Sequence, residues 1–248
     1  MIAAMIMLFT DFGWAGPYVG EIKAVLAARA PGILVIDLMH DAPAFEPRLA
    51  AYLLAAVVRT LPAEAVILGV IDPEVGSPSR RPVVVQSGAR YFVGPDNGLF
   101  QIAARAAPAS WWEITWRPER LSRSFHGRDL FAPVAAILAE GGAVPGTSFA
   151  GTQAVGADWP ADHDQIVYID GFGNAMTGLR AESVPADAIL VVTGKQLARA
   201  GTFSDVATAT PFWYVNSAGL IEIAVNRGRA DHALGLVVGT PVTVRAVA

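Results

Sequence analysis

The stretch Ile6-Met7-Leu8-Phe9-Thr10-Asp11-Phe12-Gly13 is a short apolar run halted by a carboxylate and a glycine. The pattern returns at Val66-Ile67-Leu68-Gly69-Val70-Ile71-Asp72-Pro73, and a third strand-like run, Ile33 to Asp37, also ends on an aspartate. Between these runs the spacing turns helical. Tyr18 to Arg29 sets Val19, Ile22, Val25 and Leu26 on one face behind Pro17, and Arg48 to Thr60 aligns Leu49, Tyr52, Leu53, Ala56 and Val57. Val83 to Gln86 and Tyr91 to Val93 read as a hairpin turning at Ser87-Gly88, and Asp129 to Glu140 as a last helix. This alternation predicts an α/β sheet with helices on its faces. In open sheets of that kind ligands lie outside the carboxyl ends of the strands, so the aspartates have a physical reason to converge.

From Gly141 to about Pro160 the chain is rich in Gly, Ala, Pro and Thr without periodicity, which predicts a connection between domains. Beyond it, Gln165 to Ile169, Ile189 to Val192, Trp213 to Val215, Leu220 to Ala224 and Pro241 to Val247 are short strand-like runs. The expected organisation is an N-terminal α/β domain over residues 1–160 and a smaller, mainly β C-terminal domain over 161–248.

Charged residues make up only 16% of the 248 against 53% apolar, whereas an average soluble domain has roughly 25% charged residues. A charge-poor chain that keeps carboxylates and bases beside apolar strands is best explained by a buried small-molecule site. The net charge of -4 and the lack of a Lys/Arg run argue against nucleic acid as a partner. Zero cysteines exclude thiolate nucleophiles, disulfides and cysteine-ligated metals. The apolar start, Met1 to Met7, runs almost at once into Thr10-Asp11, and nothing approaches the ~18 apolar residues of a membrane span. A cytoplasmic protein with no membrane partner is expected. The four histidines, at 40, 126, 163 and 232, have no metal-ligand spacing, although His40-Asp41 and His126 with Asp129 could assemble in space.

The polar groups are gathered in glycine-punctuated clusters. In Ser124-Phe125-His126-Gly127-Arg128-Asp129, Asp129 can be the cap of the helix that follows, which leaves His126 unexplained. Asp72 to Arg81 sets a carboxylate at one end of a Pro- and Gly-shaped loop and guanidinium groups at the other. Asp96-Asn97-Gly98 is a turn signal that needs no functional role, and Asp170-Gly171-Phe172-Gly173-Asn174 is either a hairpin loop or a reader of ribose hydroxyls and a heterocycle edge. Gly13, Gly16 and Gly20 lack dinucleotide-fingerprint spacing, there is no phosphate loop, and Gly146-Thr147-Ser148-Phe149-Ala150 approximates a nucleophile elbow without the strand before it.

Taken in order, these clusters, together with Asn216-Ser217-Ala218-Gly219-Leu220 to Asn226, resemble the S-adenosylmethionine hydrolase (hydroxide adenosyltransferase) family, relatives of the fluorinating and chlorinating enzymes that use the same substrate. The resemblance implies an N-terminal α/β domain, a C-terminal β-barrel-like domain and a homotrimer with sites between subunits. It implies hydrolysis of S-adenosyl-L-methionine to adenosine and L-methionine, with no cofactor and no metal. Asp72, Arg80 (Arg81 is the alternative) and His126 would be the catalytic triad around a water. By the same resemblance Asp11 grips the ribose hydroxyls, Phe45 packs on the ribose, and Ser124 and Phe125 wall the reacting carbon. Asp170, Phe172, Asn174, Ser217, Val225 and Arg227 would contact methionine and adenine. Two departures stand out: Gly16 replaces an Asp linked to the substrate's amino group, and the Asp72 loop carries Glu74 in place of Gly and is one residue longer. Chemically, the expectation is in-line attack of water on ribose C5', with Arg80 stabilising developing hydroxide, neutral His126 taking the proton and Asp72 orienting the pair. A binding protein without turnover, a metal-dependent hydrolase using Asp11, Asp72, Asp129 and His126, and a halide-using transferase are the competing readings.

Overall fold

The computed structural model describes residues 5–246, so Met1 to Ala4 of the apolar start and Val247 of the last expected strand lie outside the described residues. The chain divides into two units, Met1–Trp159 and Pro160–Ala248. In the first, β1 (Ile6–Thr10), α1 (Tyr18–Arg29), β2 (Val35–Met39), α2 (Pro47–Val57) and β3 (Val66–Val70) alternate as the hydrophobic spacing requires. There follow the hairpin β4 (Pro82–Ser87) and β5 (Arg90–Pro95), the single turn α3 (Gln101–Ala104), β6 (Ala109–Ile114), α4 (Ala132–Ala139) and β7 (Gly146–Phe149). The seven strands form one mixed sheet in the order β2-β1-β3-β5-β4-β6-β7. Strands β1, β2, β3 and β5 run parallel, and β4, β6 and β7 extend the sheet in antiparallel fashion.

Every residue of β1 and β3 is buried, as their unbroken apolar runs demand. Ile6 and Leu8, with Val66, Leu68, Val84 and Val93, pack against Ile22 and Leu26 of α1 and against Val134 and Leu138 of α4. In α2, Leu49, Tyr52, Leu53 and Ala56 are buried at the spacing read from the sequence. The strand order positions the site. The chain goes from β1 to β2 on one side and returns to β3 on the other, and a parallel sheet reversing in this way opens a crevice between the two loops. Thr10 pairs with Val70, so Asp11 and Asp72 leave the sheet as neighbours.

Three expectations need correcting here. Asp37 does not end its strand, because β2 continues to Met39, and its carboxylate pairs with Lys23 (2.9 Å) and His40 (3.1 Å) instead of joining Asp11 and Asp72. The segment from Gly141 to Pro160 is not only a connection, because Gly146–Phe149 is the edge strand β7, paired with β6. The expected helix from Asp129 begins instead as a wide π turn, Gly127–Phe131, and becomes α-helical at Ala132. Asp129 does not cap it; its carboxylate accepts the Ser122 N–H (2.8 Å) and pairs with Arg128 (2.6 Å).

The second unit contains β8 (His163–Ile169), β9 (Ala175–Arg180), β10 (Ile189–Val192), β11 (Lys195–Leu197), β12 (Pro211–Val215), β13 (Leu220–Val225), the short α5 (Ala230–Leu234) and β14 (Val242–Arg245). These strands form a four-stranded sheet, β12-β13-β9-β8, and a three-stranded sheet, β11-β10-β14. Among the described residues no closed ring of strands forms, so two open sheets stand where the resemblance implies a barrel. Ile166, Leu190, Trp213, Ile221 and Ile223 fill their shared core.

Candidate active site

Asp11 follows β1 directly, and its Oδ2 accepts the backbone N–H of Phe45 at 3.1 Å. Burial raises its pKa above the usual carboxylate value, against the pull of that N–H. The loop carrying Phe45 is tied to the end of β1 by Ala42 N–H to Thr10 C=O (3.2 Å) and Gly13 N–H to His40 C=O (2.6 Å). Thr10 and the buried His40 also share a side-chain bond of 2.8 Å. Phe45 itself sits at φ 62°, a backbone conformation unfavourable for a bulky residue, and is 73% exposed.

Asp72 lies two residues beyond β3. Arg80, eight residues on, returns to it through a loop of successive turns: Val75 N–H to Asp72 C=O, Ser77 N–H to Glu74 C=O, and Arg80 N–H to Ser77 C=O. At the bend, Gly76 has φ 83°, and a Cβ there would come within 2.4 Å of the Arg123 carbonyl. Only glycine lets this loop lie against the segment that leads to His126. Arg80 Nη2 is 2.8 Å from Asp72 Oδ2 and 2.9 Å from His126 Nδ1, so one nitrogen joins the three side chains. The Arg80 and Asp72 side chains are 2% and 4% exposed. Both Asp72 oxygens are buried without a well-formed protein hydrogen bond, although the Glu74 backbone N–H lies near enough to pull the carboxyl downward.

The electrostatics follow from this burial. Desolvation pushes the Asp72 carboxyl up to about 6 although Arg80 pulls the other way. His126 is held below its ordinary value by desolvation first, then by Arg80 and Arg117. A guanidinium can only donate, so its contact requires a lone pair on Nδ1, which places the proton of the neutral imidazole on Nε2.

Asp11, Phe45, Asp72, Ser124, Phe125 and His126 all line one cavity of about 370 Å³. Arg80 stands outside its wall, in contact with Asp72 and His126. Arg81 does not reach this group; it pairs with the buried Asp96 at 2.7 Å and donates to the Gln153 carbonyl at 2.6 Å. The Asp96-Asn97-Gly98 turn serves structure, with Asn97 Nδ2 donating to the Ile71 carbonyl (2.7 Å) just before Asp72. Phe12, from the stretch that opens with Ile6, also lines the cavity, as do Tyr18 and Val75, whose apolar character carries no signal among the polar clusters. Phe12, Tyr18 and Phe125 form a mutual aromatic cluster with centroids 5.4 to 6.0 Å apart.

In the second unit, Asp170, Phe172, Asn174, Val225 and Arg227 line a cavity of about 700 Å³ with Phe203, Tyr214 and Gly228. Asp170 Oδ1 accepts the N–H groups of Phe172 and Asn174 (both 2.9 Å), an Asx turn closing the β8–β9 hairpin. Phe203 and Tyr214 went unread in the sequence, as did the buried Glu222 behind them, which accepts Tyr214 O–H (2.6 Å) and Asn216 Nδ2 (2.7 Å). Ser217 is exposed in the turn after Asn216 and lines neither cavity. Among the described residues no three His, Asp or Glu side chains converge as a metal site, and no helix is long and apolar enough to cross a membrane.

Comparison with known proteins gives concordant matches in both units. The SAM hydroxide adenosyltransferase N-terminal domain matches residues 6–147, and the SAM hydroxide adenosyltransferase C-terminal domain matches residues 164–243. A Thermus thermophilus protein named (R)-S-adenosyl-L-methionine hydrolase is 39% identical over 257 aligned positions, covering 96% of this chain and 98% of the relative. A protein of the same name from Salinispora arenicola is 38% identical, with 96% of each chain covered. The crystal structure of an uncharacterized conserved protein from Thermotoga maritima superposes with a TM-score of 0.86 at 31% identity, over 98% of this chain and 100% of the other.

Proposed function

The chain belongs to the SAM hydroxide adenosyltransferase family, and we propose that it hydrolyses S-adenosyl-L-methionine, in the (R)-sulfonium form named for its relatives, to adenosine and L-methionine. The observation that carries the site assignment is the single Arg80 nitrogen shared by Asp72 and His126 at the wall of the cavity that also holds Asp11. Asp72, Arg80 and His126 are the catalytic group. Asp11 holds the ribose hydroxyls, Phe45 packs on the ribose, and Ser124 and Phe125 flank the reacting carbon. Asp170, Phe172, Asn174, Val225 and Arg227 bind the adenine and methionine parts; for Ser217, which lines neither cavity, the family resemblance is the sole support.

In the reaction, water oxygen bonds to C5', the C5'–S bond breaks with its electron pair going to sulfur, and one proton is released. The thioether leaves neutral, so no acid is needed to protonate it and no metal is needed to assist its departure. The demand falls on the nucleophile, because free water has a pKa near ~15.7. Asp72 meets that demand: its buried carboxylate retains acceptor capacity, and a value of about 6 makes it a stronger base than a solvated carboxylate while leaving it ionised at neutral pH. His126, with Nδ1 engaged by Arg80, has Nε2–H left to donate to the water oxygen. This reverses the division of labour expected from the sequence: the imidazole that was to take the proton is the group Arg80 keeps from taking one. Arg80 keeps Asp72 ionised and His126 neutral, the states in which the two act. Charge is annihilated as hydroxide meets sulfonium, so a dry apolar cavity favours the transition state over the separated ions.

A cytoplasmic homotrimer with sites completed between subunits belongs to the same reading, supported by the family resemblance and by exposed aromatic side chains of Trp14, Tyr18, Phe45 and Phe172. The test is incubation of purified protein with S-adenosyl-L-methionine and chromatography of the products. Adenosine and methionine in equal amounts, with activity retained after exhaustive chelation, are expected. Intact substrate would leave a binding protein, loss on chelation a metal enzyme, and a halogenated adenosine in chloride a transferase.

A further inference from the structure

A second cavity in the first unit, of about 320 Å³, shares only His126 with the cavity of Asp11. Its charged wall consists of Arg80, Arg81, Arg117 and Arg123 against the one carboxylate of Glu113. In a chain of net charge -4, so local an excess of guanidinium groups is not a property of the surface at large. Arg81 is neutralised by Asp96 and Arg80 is paired through Nη2 with Asp72, which leaves Arg117 and Arg123 as the uncompensated cations. Arg117 bonds only the backbone carbonyls of Ile114 (2.6 Å) and Trp116 (2.9 Å), and neither it nor Arg123 is ion-paired among the described residues. Arg80, 2% exposed, has both Nε and Nη1 buried without a protein acceptor. Buried donors left in this state are uncommon, and several guanidinium groups around one small space favour a multiply charged anion with oxygens on several sides.

We propose that this cavity is an anion site for a compact oxyanion of the phosphate type, either inorganic phosphate or the phosphate of a small metabolite. Its volume suits such a ligand, and its arginines supply the charge-assisted contacts. An anion there offsets Arg80 and Arg117, the cations that hold His126 neutral and support hydroxide formation. Occupancy therefore slows turnover without displacing substrate. This consequence rests on the hydrolase reading; the binding does not.

The experiment is calorimetric titration of the full chain with sodium phosphate at fixed ionic strength, with sodium chloride as the control. Saturable binding with a Kd on the order of 1 mM or tighter is expected, weakened at least ~10-fold in Arg117→Ala/Arg123→Ala and in the single exposed-site variant Arg123→Glu, and unchanged in Asp11→Asn. Glycerol phosphate run in parallel tells the two sources apart, and preference for either supports the site. In turnover assays phosphate should inhibit without competing with S-adenosyl-L-methionine. No saturable binding, equal binding by the arginine variants, or competitive inhibition would overturn the proposal. A protein that binds phosphate as described but leaves the substrate intact would retain the anion site and lose the hydrolase reading instead.

Discussion

The sharpest prediction concerns which group takes the proton. With the Asp72 carboxyl at about 6, the ionised fraction is about 10/11 at pH 7 and about 1/11 at pH 5, so kcat/KM should fall about 10-fold over that interval. The assay is the initial rate of adenosine formation at low substrate and constant ionic strength, from pH 5 to 8. An imidazole base would also lose activity in acid, so the variants decide. His126→Gln keeps an acceptor for Arg80 and a donor for water; it should retain the inflection near pH 6 and lose little more than ~10-fold in rate. Asp72→Asn removes the base; the inflection should disappear and the rate should drop by roughly 10²- to 10⁴-fold. An inflection that survives in Asp72→Asn, or vanishes in His126→Gln, refutes the assignment. Unfolding is a separable cause. The native value of Asp72 lies above its unfolded value of 3.8, so the stability linked to this group is full below 3.8 and lost as pH rises through about 6. Acidification from pH 7 to 5 therefore stabilises the fold through Asp72, and a rate loss there at constant ellipticity is protonation of the base.

The two arginines should separate cleanly. Arg80→Ala strands a 4%-exposed carboxylate, lowers Tm by the equivalent of about 3–5 kcal/mol and abolishes turnover, whereas Arg81→Ala strands Asp96, lowers Tm and leaves kcat within about threefold. Gly76→Ala forces a Cβ to within 2.4 Å of a carbonyl at φ 83°; a loss of about 1–3 kcal/mol in chemical denaturation and a lower kcat are expected, since the loop bears both Asp72 and Arg80. Asp11→Asn keeps an acceptor for the Phe45 N–H but removes the charge, so KM should rise at least ~10-fold while kcat changes less. With resolved sulfonium epimers, the (R) form should be consumed and the (S) form spared, as chiral chromatography of the residual substrate would report.

Much of this arrangement is legible in the sequence because burial leaves a simple signature. Strands β1 and β3 are buried on both faces and read as apolar runs, and each run stops at the carboxylate the site uses. Strand β2 starts two residues later than its apolar run because Ile33 N–H still closes the turn after α1 on the Ala30 carbonyl. Strand β7 was hidden for the opposite reason: an edge strand of Gly, Thr, Ser and Phe, exposed at its centre, carries no alternation to detect. The contact of Arg80 with His126 spans 46 residues of sequence, and no local rule supplies it. It depends on the register that sets Thr10 beside Val70 and on the bend at Gly76, both products of tertiary packing. Tyr18 and Val75 escaped because their site role is to be apolar, which in this chain distinguishes nothing.

The charge-poor composition and the affinity of Asp72 for protons have one physical origin. A carboxylate strong enough to deprotonate water must be desolvated, and desolvation requires the apolar strands that surround β3. Desolvation alone would leave the group protonated and inert at neutral pH; a full bidentate pair with Arg80 would instead hold it well below 6 and weaken it as a base. The observed value lies between these extremes because burial, its largest cause, outweighs the pull of Arg80. The same arginine, after burial, holds the imidazole below its ordinary value through the nitrogen it places against both groups. One cation thus sets the working state of a carboxylate and of an imidazole together, which explains why the three lie in mutual contact at the wall of the Asp11 cavity rather than singly around it.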